Sequence, residues 1–251
     1  METMARNKPN VVVEANPQSL AKRTVQLFIE ESQKAISEHD NFYVAISGGH
    51  TPQYFYELLG NDEKAMQLPW NKIHLFWVDE RYVPANSKWS NYKLAADTFL
   101  NKVPIPQQNI HKIPTEFSDF KEAASSYEAT IRSVFRIGEK GVPQFDLIVL
   151  GMGADGHTGS LFPNSYAQFD TEDLACVVYV LGTELARITL THPVLCAAKH
   201  IAVLVSGKEK AQILKTVLTS EPDEVRYPIH FLWPILDRIT WLVDSDAAKL
   251  I

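Results

Sequence analysis

The sequence alternates short apolar runs with longer amphipathic segments, and this alternation limits the possible folds more than any other feature. Helices are predicted from Asn16-Pro17, from Thr51-Pro52, over residues 91–100 and 119–136, and over Lys208–Thr219. The apolar runs predict strands at Asn10–Ala15, Phe42–Ser47, Ile73–Asp79, Phe145–Leu150, Ala175–Val180, Arg187–Thr191, His200–Val205 and Ile239–Val243. Strands that alternate with helices indicate βαβ units and a mainly parallel, twisted sheet with helices on both faces.

The chain has 251 residues, a length that suits one or two domains. It contains no internal repeat and no low-complexity linker, and its Pro- and Gly-containing stretches have the character of ordinary loops. We therefore predict a single α/β domain over residues 1–251, of the Rossmann-like type.

Composition and charge exclude several classes of protein. No run of about 18 apolar residues is present, so a membrane span is not expected. The first ten residues, METMARNKPN, lack the apolar core of a secretory signal. Cys176 and Cys196 form no C-x-x-C pair and suit free thiols in a reducing cytoplasm. The net charge is −6 without a basic run, so nucleic acid is not an expected partner.

Four polar clusters follow predicted strands. They are Ser47–Pro52 (SGGHTP), Asp79–Arg81 (DER), Gly151–Ser160 (GMGADGHTGS) and Ser206–Lys208 (SGK). In an open parallel sheet, ligands bind in the crevice beyond the carboxyl ends of the strands. Because all four clusters occur at such ends, the sequence predicts that they meet in one binding site.

The SGGHTP cluster joins a strand to a helix. Gly48 and Gly49 allow close approach of the backbone to a ligand, and the amides at a helix start attract anions. Together with His50 and Thr51 they form a candidate phosphate site, with an ordinary tight connection as the alternative. In the SGK cluster, Lys208 stands at a helix start, where the helix dipole disfavours a cation. That position indicates a bound anion, unless the side chain is simply solvated.

The DER cluster offers an arginine at a strand end. Arg81 can hold a phosphate through two parallel hydrogen bonds, with Asp79 as an orienting neighbour. A solvated charge cluster with an internal ion pair is the alternative interpretation. Arg187 is a further candidate for contact with an anion, although it lies at the beginning of a predicted strand.

The segment Gly151–Pro163 (GMGADGHTGSLFP) carries the richest chemistry. It satisfies G-x-G-x-x-G, but it lies past the midpoint of the chain and Pro163 interrupts any following helix, which argues against a dinucleotide site. Histidine titrates close to neutral pH, and a carboxylate can fix the tautomer of an imidazole. Beside Asp155, and with Gly153 leaving room for water and substrate, His157 is interpreted as a general base. A structural histidine is the alternative.

Other catalytic chemistries lack their motifs. The sequence has no G-x-S-x-G nucleophile elbow. It also has no H-E-x-x-H and no Cys/His ligand spacing. We therefore expect neither a metal nor a cofactor.

The sequence resembles the 6-phosphogluconolactonases of the glucosamine/galactosamine-6-phosphate isomerase superfamily. The matching blocks are Ser47–Pro52, Val78–Arg81, Gly151–Pro163, Arg187–Thr191, Ser206–Ala211 and Ile239–Ala248. The resemblance extends over essentially the whole chain, and the notable departure is Gly159, where alanine is usual.

The resemblance implies hydrolysis of 6-phospho-D-glucono-1,5-lactone without a cofactor, the second step of the oxidative pentose phosphate pathway. His157 would activate a water, Asp155 would orient the imidazole, and Arg81 and Lys208 would hold the phosphate with the His50-Thr51 region. Arg187 would be a weaker substrate contact. The protein would be a monomer or a small homo-oligomer.

Two other functions remain open on this resemblance. The sister branch, glucosamine-6-phosphate deaminase/isomerase, typically carries a catalytic Glu before the proline that corresponds to Pro163, where this chain has Phe162. That branch also carries D-E-Y where this chain has Asp79-Glu80-Arg81. A non-catalytic sugar-phosphate sensor is the second alternative, and the presence of both Asp155 and His157 disfavours it.

Overall fold

The predicted alternation of strands and helices is present in the computed structural model, which describes residues 8–180 and 185–251. The strands are β1 (Asn10–Glu14), β2 (Phe42–Ile46), β3 (Ile73–Trp77), β4 (Asp79–Arg81), β5 (Ile110–His111), β6 (Leu147–Gly151), β7 (Ala175–Tyr179), β8 (Ala186–Leu190), β9 (His200–Val205) and β10 (Ile239–Asp244). The α-helices are α1 (Pro17–His39), α2 (His50–Leu59), α3 (Glu63–Met66), α4 (Asn91–Ala95), α5 (Phe120–Phe135), α6 (His192–Ala197) and α7 (Ala211–Thr219).

Seven of the described strands form one parallel sheet in the order β1-β10-β9-β6-β2-β3-β5. Residues 147–150 of its central strand β6 are at most 1% exposed, as expected for a sheet covered on both faces. The right-handed crossover rule places α1 and α2, which contact each other, on one face and α5 to α7 on the other. The prediction of a mainly parallel α/β sheet is confirmed.

The sequence did not indicate a second sheet, which is antiparallel and has the order β4-β8-β7. The strand predicted over Ile73–Asp79 ends at Trp77, and Asp79 begins β4. Between them, Val78 donates to Ile46 of β2 and accepts from Leu190 of β8, so it links the two sheets. The connection between β7 and β8 is too short for a crossover helix, and such a connection joins antiparallel strands. The predictions at Ala175–Val180 and Arg187–Thr191 were correct as strands, but these strands lie outside the parallel sheet.

The helix starts follow the sequence signals closely, with two shifts. Asn16 caps α1 through a capping box with Ser19, as Asn16-Pro17 predicted. Helix α2 begins at His50 with Gly49 as its N-cap, two residues earlier than the start predicted with Thr51 as N-cap and Pro52 as first residue, because Gly49 takes a φ of 109° and turns the chain into the helix earlier. The segment predicted to be helical from Lys208 begins as a 3-10 turn, and α7 follows from Ala211.

In the described part of the chain, no helix combines the length and apolar character that crossing a membrane requires. The expectation that the N-terminal stretch METMARNKPN is not a secretory signal concerns mostly residues 1–7, which lie outside the described residues.

A histidine pair at the β3–β5 edge of the sheet should make folding sensitive to acid. His74 Nδ1 lies 3.1 Å from His111 Nε2, and the rings of Tyr43 and Phe76 stack against this pair. Burial, reinforced by His74, lowers the pKa of His111 to about 4. The unfolded chain therefore binds more protons between about pH 6.5 and pH 4, so the free energy of unfolding falls as pH drops through this window.

We expect a loss of about 1–2 kcal/mol from the His111 shift, after allowance for its partly exposed ring. The free energy of unfolding, measured by urea denaturation at several pH values, should depend less on pH in His111→Gln than in the wild type. Equal pH dependence in the two proteins would contradict the assignment to this pair.

Candidate active site

The order of the parallel sheet brings the four polar clusters together. They follow β9, β6, β2 and β3, which are consecutive neighbours in the sheet. From β2 the chain continues to β3 and β5 on one side, then returns through β6 to β9 and β10 on the other. The crevice between β2 and β6 is therefore a topological switch point, the usual ligand site of such sheets.

A cavity of about 470 Å³ lies at this point, a volume within the range of small-molecule sites. Its lining includes nine of the predicted site residues: Gly48, Gly49, His50, Thr51, Asp79, Arg81, Gly153, His157 and Arg187. Asp155 stands behind His157, whereas Lys208 is exposed and does not line the cavity. Among the described residues, no group of three or more His, Cys, Asp and Glu side chains is placed to hold a metal ion.

His157 and Asp155 form a close pair on the loop after β6. His157 Nδ1 lies 2.6 Å from Asp155 Oδ1, which also accepts the His157 backbone N–H at 3.2 Å. Burial opposes ionisation of Asp155, but the side-chain hydrogen bond with His157, the charge of His157 and two backbone hydrogen bonds together outweigh it and lower the pKa of this carboxyl to about 2. The ring of Phe162 packs against the imidazole with centroids 4.5 Å apart. The carboxylate and the Phe162 ring together fix the imidazole, with Nδ1 engaged and Nε2 without a hydrogen-bond partner among the described residues.

Gly153 makes room for this pair. A Cβ at position 153 would lie 2.1 Å from His157 Nδ1 and 2.6 Å from Asp155 Oδ1. No side chain is compatible with those distances, so a residue other than glycine would displace the imidazole from Asp155.

Gly153→Ala is therefore expected to lower kcat by about 10²-fold, the scale of an ångström-sized displacement of a reacting group. The measurement is steady-state turnover of the lactone that the sequence resemblance implies, together with the melting temperature of the variant. Gly138→Ala is the matched control, because a Cβ there would meet nothing within 4 Å. Unchanged kcat in Gly153→Ala would contradict the requirement for an undisturbed pair.

The loop after β2 presents the start of α2 to the cavity. Gly49 is the N-cap of this helix, and no side chain caps its first amides. Helix α2 has ten residues, and its dipole places partial positive charge at the cavity. A Cβ on Gly48 would lie 1.8 Å from Asn91 Oδ1, so this glycine is required for close packing against α4. The geometry agrees with an anion site at this helix start.

Two arginines lie side by side on the small antiparallel sheet. Arg81 of β4 is the register partner of Arg187 of β8, and both line the cavity. Like charges directly opposite each other on antiparallel strands are destabilising. Burial lowers the pKa of Arg187, and the charge of Arg81 adds to this effect while Asp79 opposes it. Two adjacent guanidinium groups at one cavity favour a bound anion.

Arg187 is only loosely held by its surroundings. Its Nη1 lies 3.9 Å from Asp79 Oδ2 and 3.5 Å from Ser160 Oγ, and its guanidinium lies over the Phe162 ring. Its buried Nε has no hydrogen-bond partner among the described residues. Asp79 accepts a hydrogen bond of 2.7 Å from Ser160. Arg187 therefore keeps hydrogen-bonding capacity for a ligand.

The cavity contains a lysine that the sequence pattern did not indicate. Lys210, two residues after the predicted Lys208, lines the cavity and is half-buried. Burial lowers the pKa of its amine, while the charges of Glu209 and Asp155 raise it. The 3-10 turn over Lys208–Lys210 explains why Lys210 lines the cavity and Lys208 does not, because it turns Lys208 to the surface and Lys210 toward the cavity.

Further polar residues support the site from outside the predicted set. Asp244, at the end of β10, accepts hydrogen bonds from Ser206 Oγ and from the Gly207 and Ala247 amides, and so fixes the loop after β9. Asn91, at the start of α4, lines the cavity and accepts from Arg81. Asn91 stands ten residues after Arg81, and no spacing rule in the sequence connects the two.

The doubly wound sheet, with an Asp–His pair and clustered cations at its switch point, has the architecture of an α/β enzyme that acts on a small anion. The sequence matches the family model described as glucosamine-6-phosphate isomerases/6-phosphogluconolactonase over residues 15–241. The chain belongs to this family.

Known relatives resemble the chain over nearly its whole length. It is 37% identical to a 6-phosphogluconolactonase of Synechocystis sp., with 96% of this chain and 98% of the relative covered. A 6-phosphogluconolactonase of Nostoc sp. is 35% identical, with 96% and 97% covered. Among solved structures, the 6-phosphogluconolactonase of Trypanosoma brucei superposes with a TM-score of 0.85 at 28% identity, covering 96% of this chain and 98% of that chain.

Proposed function

We propose that this protein hydrolyses 6-phospho-D-glucono-1,5-lactone to 6-phosphogluconate, the second step of the oxidative pentose phosphate pathway. The observation that carries the proposal is the Asp155–His157 pair in a cavity that also holds Arg81, Arg187 and Lys210. A base and an anion site in one cavity are the two elements that opening of a phosphorylated lactone requires. The relatives named 6-phosphogluconolactonase support the same substrate.

In the proposed mechanism, His157 acts as the general base through Nε2. It removes a proton from a water, which attacks the lactone carbonyl carbon and forms a tetrahedral oxyanion. The bond between that carbon and the ring oxygen then breaks, and the ring oxygen takes the proton back from the imidazolium. Asp155 keeps Nδ1 protonated, so that Nε2 faces the water, and stabilises the transient imidazolium. General-base assistance of this kind contributes about 10²–10⁴-fold.

The anion site positions the lactone for this attack. Arg81, Arg187 and Lys210 would bind the 6-phosphate together with the amides at the start of α2. The phosphate is remote from the reacting carbon, so its binding energy can orient the ring without taking part in the chemistry. A lactone is already an activated ester, and positioning with general-base assistance accounts for the reaction without a covalent intermediate.

The environment of His157 disfavours amine chemistry. Where the deaminase branch typically carries a glutamate, this chain has Phe162, whose ring packs on His157 and lies under Arg187. The neighbouring Leu161 is fully buried. An apolar ring in this position offers no carboxylate for opening an amino sugar.

The test compares two substrates on the purified protein. Turnover of freshly prepared lactone, coupled to oxidation of the 6-phosphogluconate formed, should exceed spontaneous opening, while glucosamine 6-phosphate should release no ammonia. Ammonia release would transfer the proposal to the deaminase branch. A thermal shift with 6-phosphogluconate, without turnover of either substrate, would instead indicate a sugar-phosphate sensor.

The proposal extends to the domain organisation, compartment and oligomeric state of the protein. We infer a single-domain protein over residues 1–251 that acts in the cytoplasm, as a monomer or a small homo-oligomer, without nucleic acid as a partner. The continuous hydrophobic core of the described residues supports the single domain. The free thiols Cys176 and Cys196 suit a reducing compartment.

A further inference from the structure

Arg81 is held by neutral acceptors. Its Nη1 donates to the backbone carbonyl of Trp89 at 3.1 Å and to Asn91 Oδ1. Among the described residues, no carboxylate lies within ion-pair distance of its guanidinium. The positive charge of Arg81 is therefore oriented without being neutralised.

The two acidic residues next to Arg81 are occupied elsewhere. The Glu80 carboxylate accepts from Ser90 Oγ and from the backbone amides of Arg81, Asn91 and Tyr92, each at 2.8–2.9 Å. Asp79 lies on the same face of β4 as Arg81, but its carboxylate accepts from Ser160 Oγ, lies 3.9 Å from Arg187 Nη1 and accepts a long contact of 3.4 Å from Asn91 Nδ2. These arrangements keep both carboxylates away from the Arg81 guanidinium.

Asn91 is itself fixed on three sides. Its backbone N–H donates to Glu80 Oε1 at 2.8 Å, and its side-chain Nδ2 donates to the Asp79 backbone carbonyl at 2.8 Å. The side chain is 2% exposed and packs against the Cα of Gly48. With Nδ2 of the side chain bound to the Asp79 carbonyl of β4, Oδ1 is the end that accepts from Arg81.

We propose that Asn91 is a positioning residue for Arg81 in phosphate recognition, an inference that rests on the proposed function. The side-chain amide holds the guanidinium in the cavity against repulsion from Arg187, its register partner. An amide serves this purpose better than a carboxylate, because it orients the guanidinium and leaves its charge for the phosphate. Asn91 thus acts on the substrate through Arg81.

The test measures discrimination, defined as kcat/KM for the 6-phosphorylated lactone divided by kcat/KM for glucono-1,5-lactone. Asn91→Ala should lower discrimination about tenfold, because the guanidinium loses a charged hydrogen bond that orients it. Asn91→Asp keeps the shape of the side chain but supplies a carboxylate to Arg81. It should also lower discrimination and weaken inhibition by inorganic phosphate, because the carboxylate competes with the phosphate for the guanidinium.

Asn109 provides the matched control. It is a buried asparagine whose Nδ2 donates to the Asn71 and Ile73 carbonyls at the opposite end of β3. Asn109→Ala should lower the melting temperature without changing discrimination. If Asn91→Ala and Asn91→Asp retain wild-type discrimination, as Asn109→Ala does, Asn91 is merely structural and the proposal fails.

A double-mutant cycle with Arg81→Ala separates this inference from the proposed function. If Asn91 acts through Arg81, Asn91→Ala should have little further effect on discrimination once Arg81 is removed. Additive losses would overturn the positioning role and leave the phosphate role of Arg81 intact. If Arg81→Ala alone leaves discrimination unchanged, Arg81 does not bind the phosphate, and the positioning role of Asn91 falls with that assignment, whereas lactone turnover by the wild type would still support the proposed function. Absence of lactone turnover in the wild type would overturn the proposed function itself, and the positioning role with it.

Discussion

His157→Asn is expected to lower lactone turnover by about 10²–10⁴-fold, the contribution of a positioned general base. Asparagine keeps a polar side chain of similar reach, but it cannot take a proton from water near neutral pH. Because the anion site is untouched, 6-phosphogluconate should bind nearly as tightly as it does to the wild type. The measurements are kcat by the coupled assay and the dissociation constant of the product by calorimetry.

His200→Asn is the matched control for this experiment. His200 lies at the start of β9, at the opposite end of the sheet, where it contacts Glu31 and Thr240. Its replacement should cost some stability and leave kcat unchanged. Near-wild-type turnover in His157→Asn would eliminate the general-base role, and loss of product binding together with turnover would indicate a disrupted site.

Arg81→Ala should reduce kcat/KM for the phosphorylated lactone by an amount equivalent to about 1.5–3 kcal/mol, the scale of hydrogen bonds to charged groups. The loss should be much smaller for glucono-1,5-lactone, which has no phosphate. Measurement of kcat/KM for both substrates gives the discrimination directly. Arg187 and Lys210 remain in the cavity and should limit the loss.

Arg23→Ala is the control for removal of a positive charge. Arg23 lies on α1, outside the cavity lining, and its guanidinium lies 3.7 Å from Glu30. Its replacement changes the net charge by the same amount as Arg81→Ala but should leave discrimination unchanged. If Arg81→Ala discriminates as well as the wild type, the phosphate assignment of Arg81 is wrong.

The sequence was sufficient to predict the parallel sheet and the meeting of the polar clusters at one cavity. Continuous apolar runs such as Phe145–Leu150 are typical of strands buried on both faces, and the glycine-rich clusters mark their carboxyl ends. Since those ends meet at one edge of the sheet, local patterns were enough to bring distant segments together in a candidate site. The close pairing of Asp155 and His157 was predictable for a different reason, because both belong to one short loop.

Features that depend on tertiary register could not be predicted. The pairing of Arg81 with Arg187 arises from the antiparallel alignment of β4 and β8, which no pattern within either strand specifies. Lys210 rather than Lys208 lines the cavity because of a single 3-10 turn, a detail finer than helical periodicity can resolve. The contact of Asn91 with Arg81 depends on Glu80, a buried carboxylate that resembles an ordinary surface acid in the sequence.

The overall charge of the protein differs in sign from the charge of its candidate site. The chain carries a net charge of −6, yet the cavity at the β2–β6 switch point gathers Arg81, Arg187 and Lys210 at the start of α2, whose first amides no side chain caps. A few fixed cations in a confined site determine the local potential more strongly than the average charge does. The acidic remainder of the surface is free to serve solubility.

The most direct test of the central claim is the initial rate at which freshly prepared 6-phospho-D-glucono-1,5-lactone opens in the presence of the purified protein. NMR can follow lactone and acid together, with spontaneous opening recorded in the same buffer without protein. The proposed function predicts that 6-phosphogluconate forms at a rate that rises in proportion to protein concentration. A rate equal to the spontaneous one at every protein concentration would contradict it.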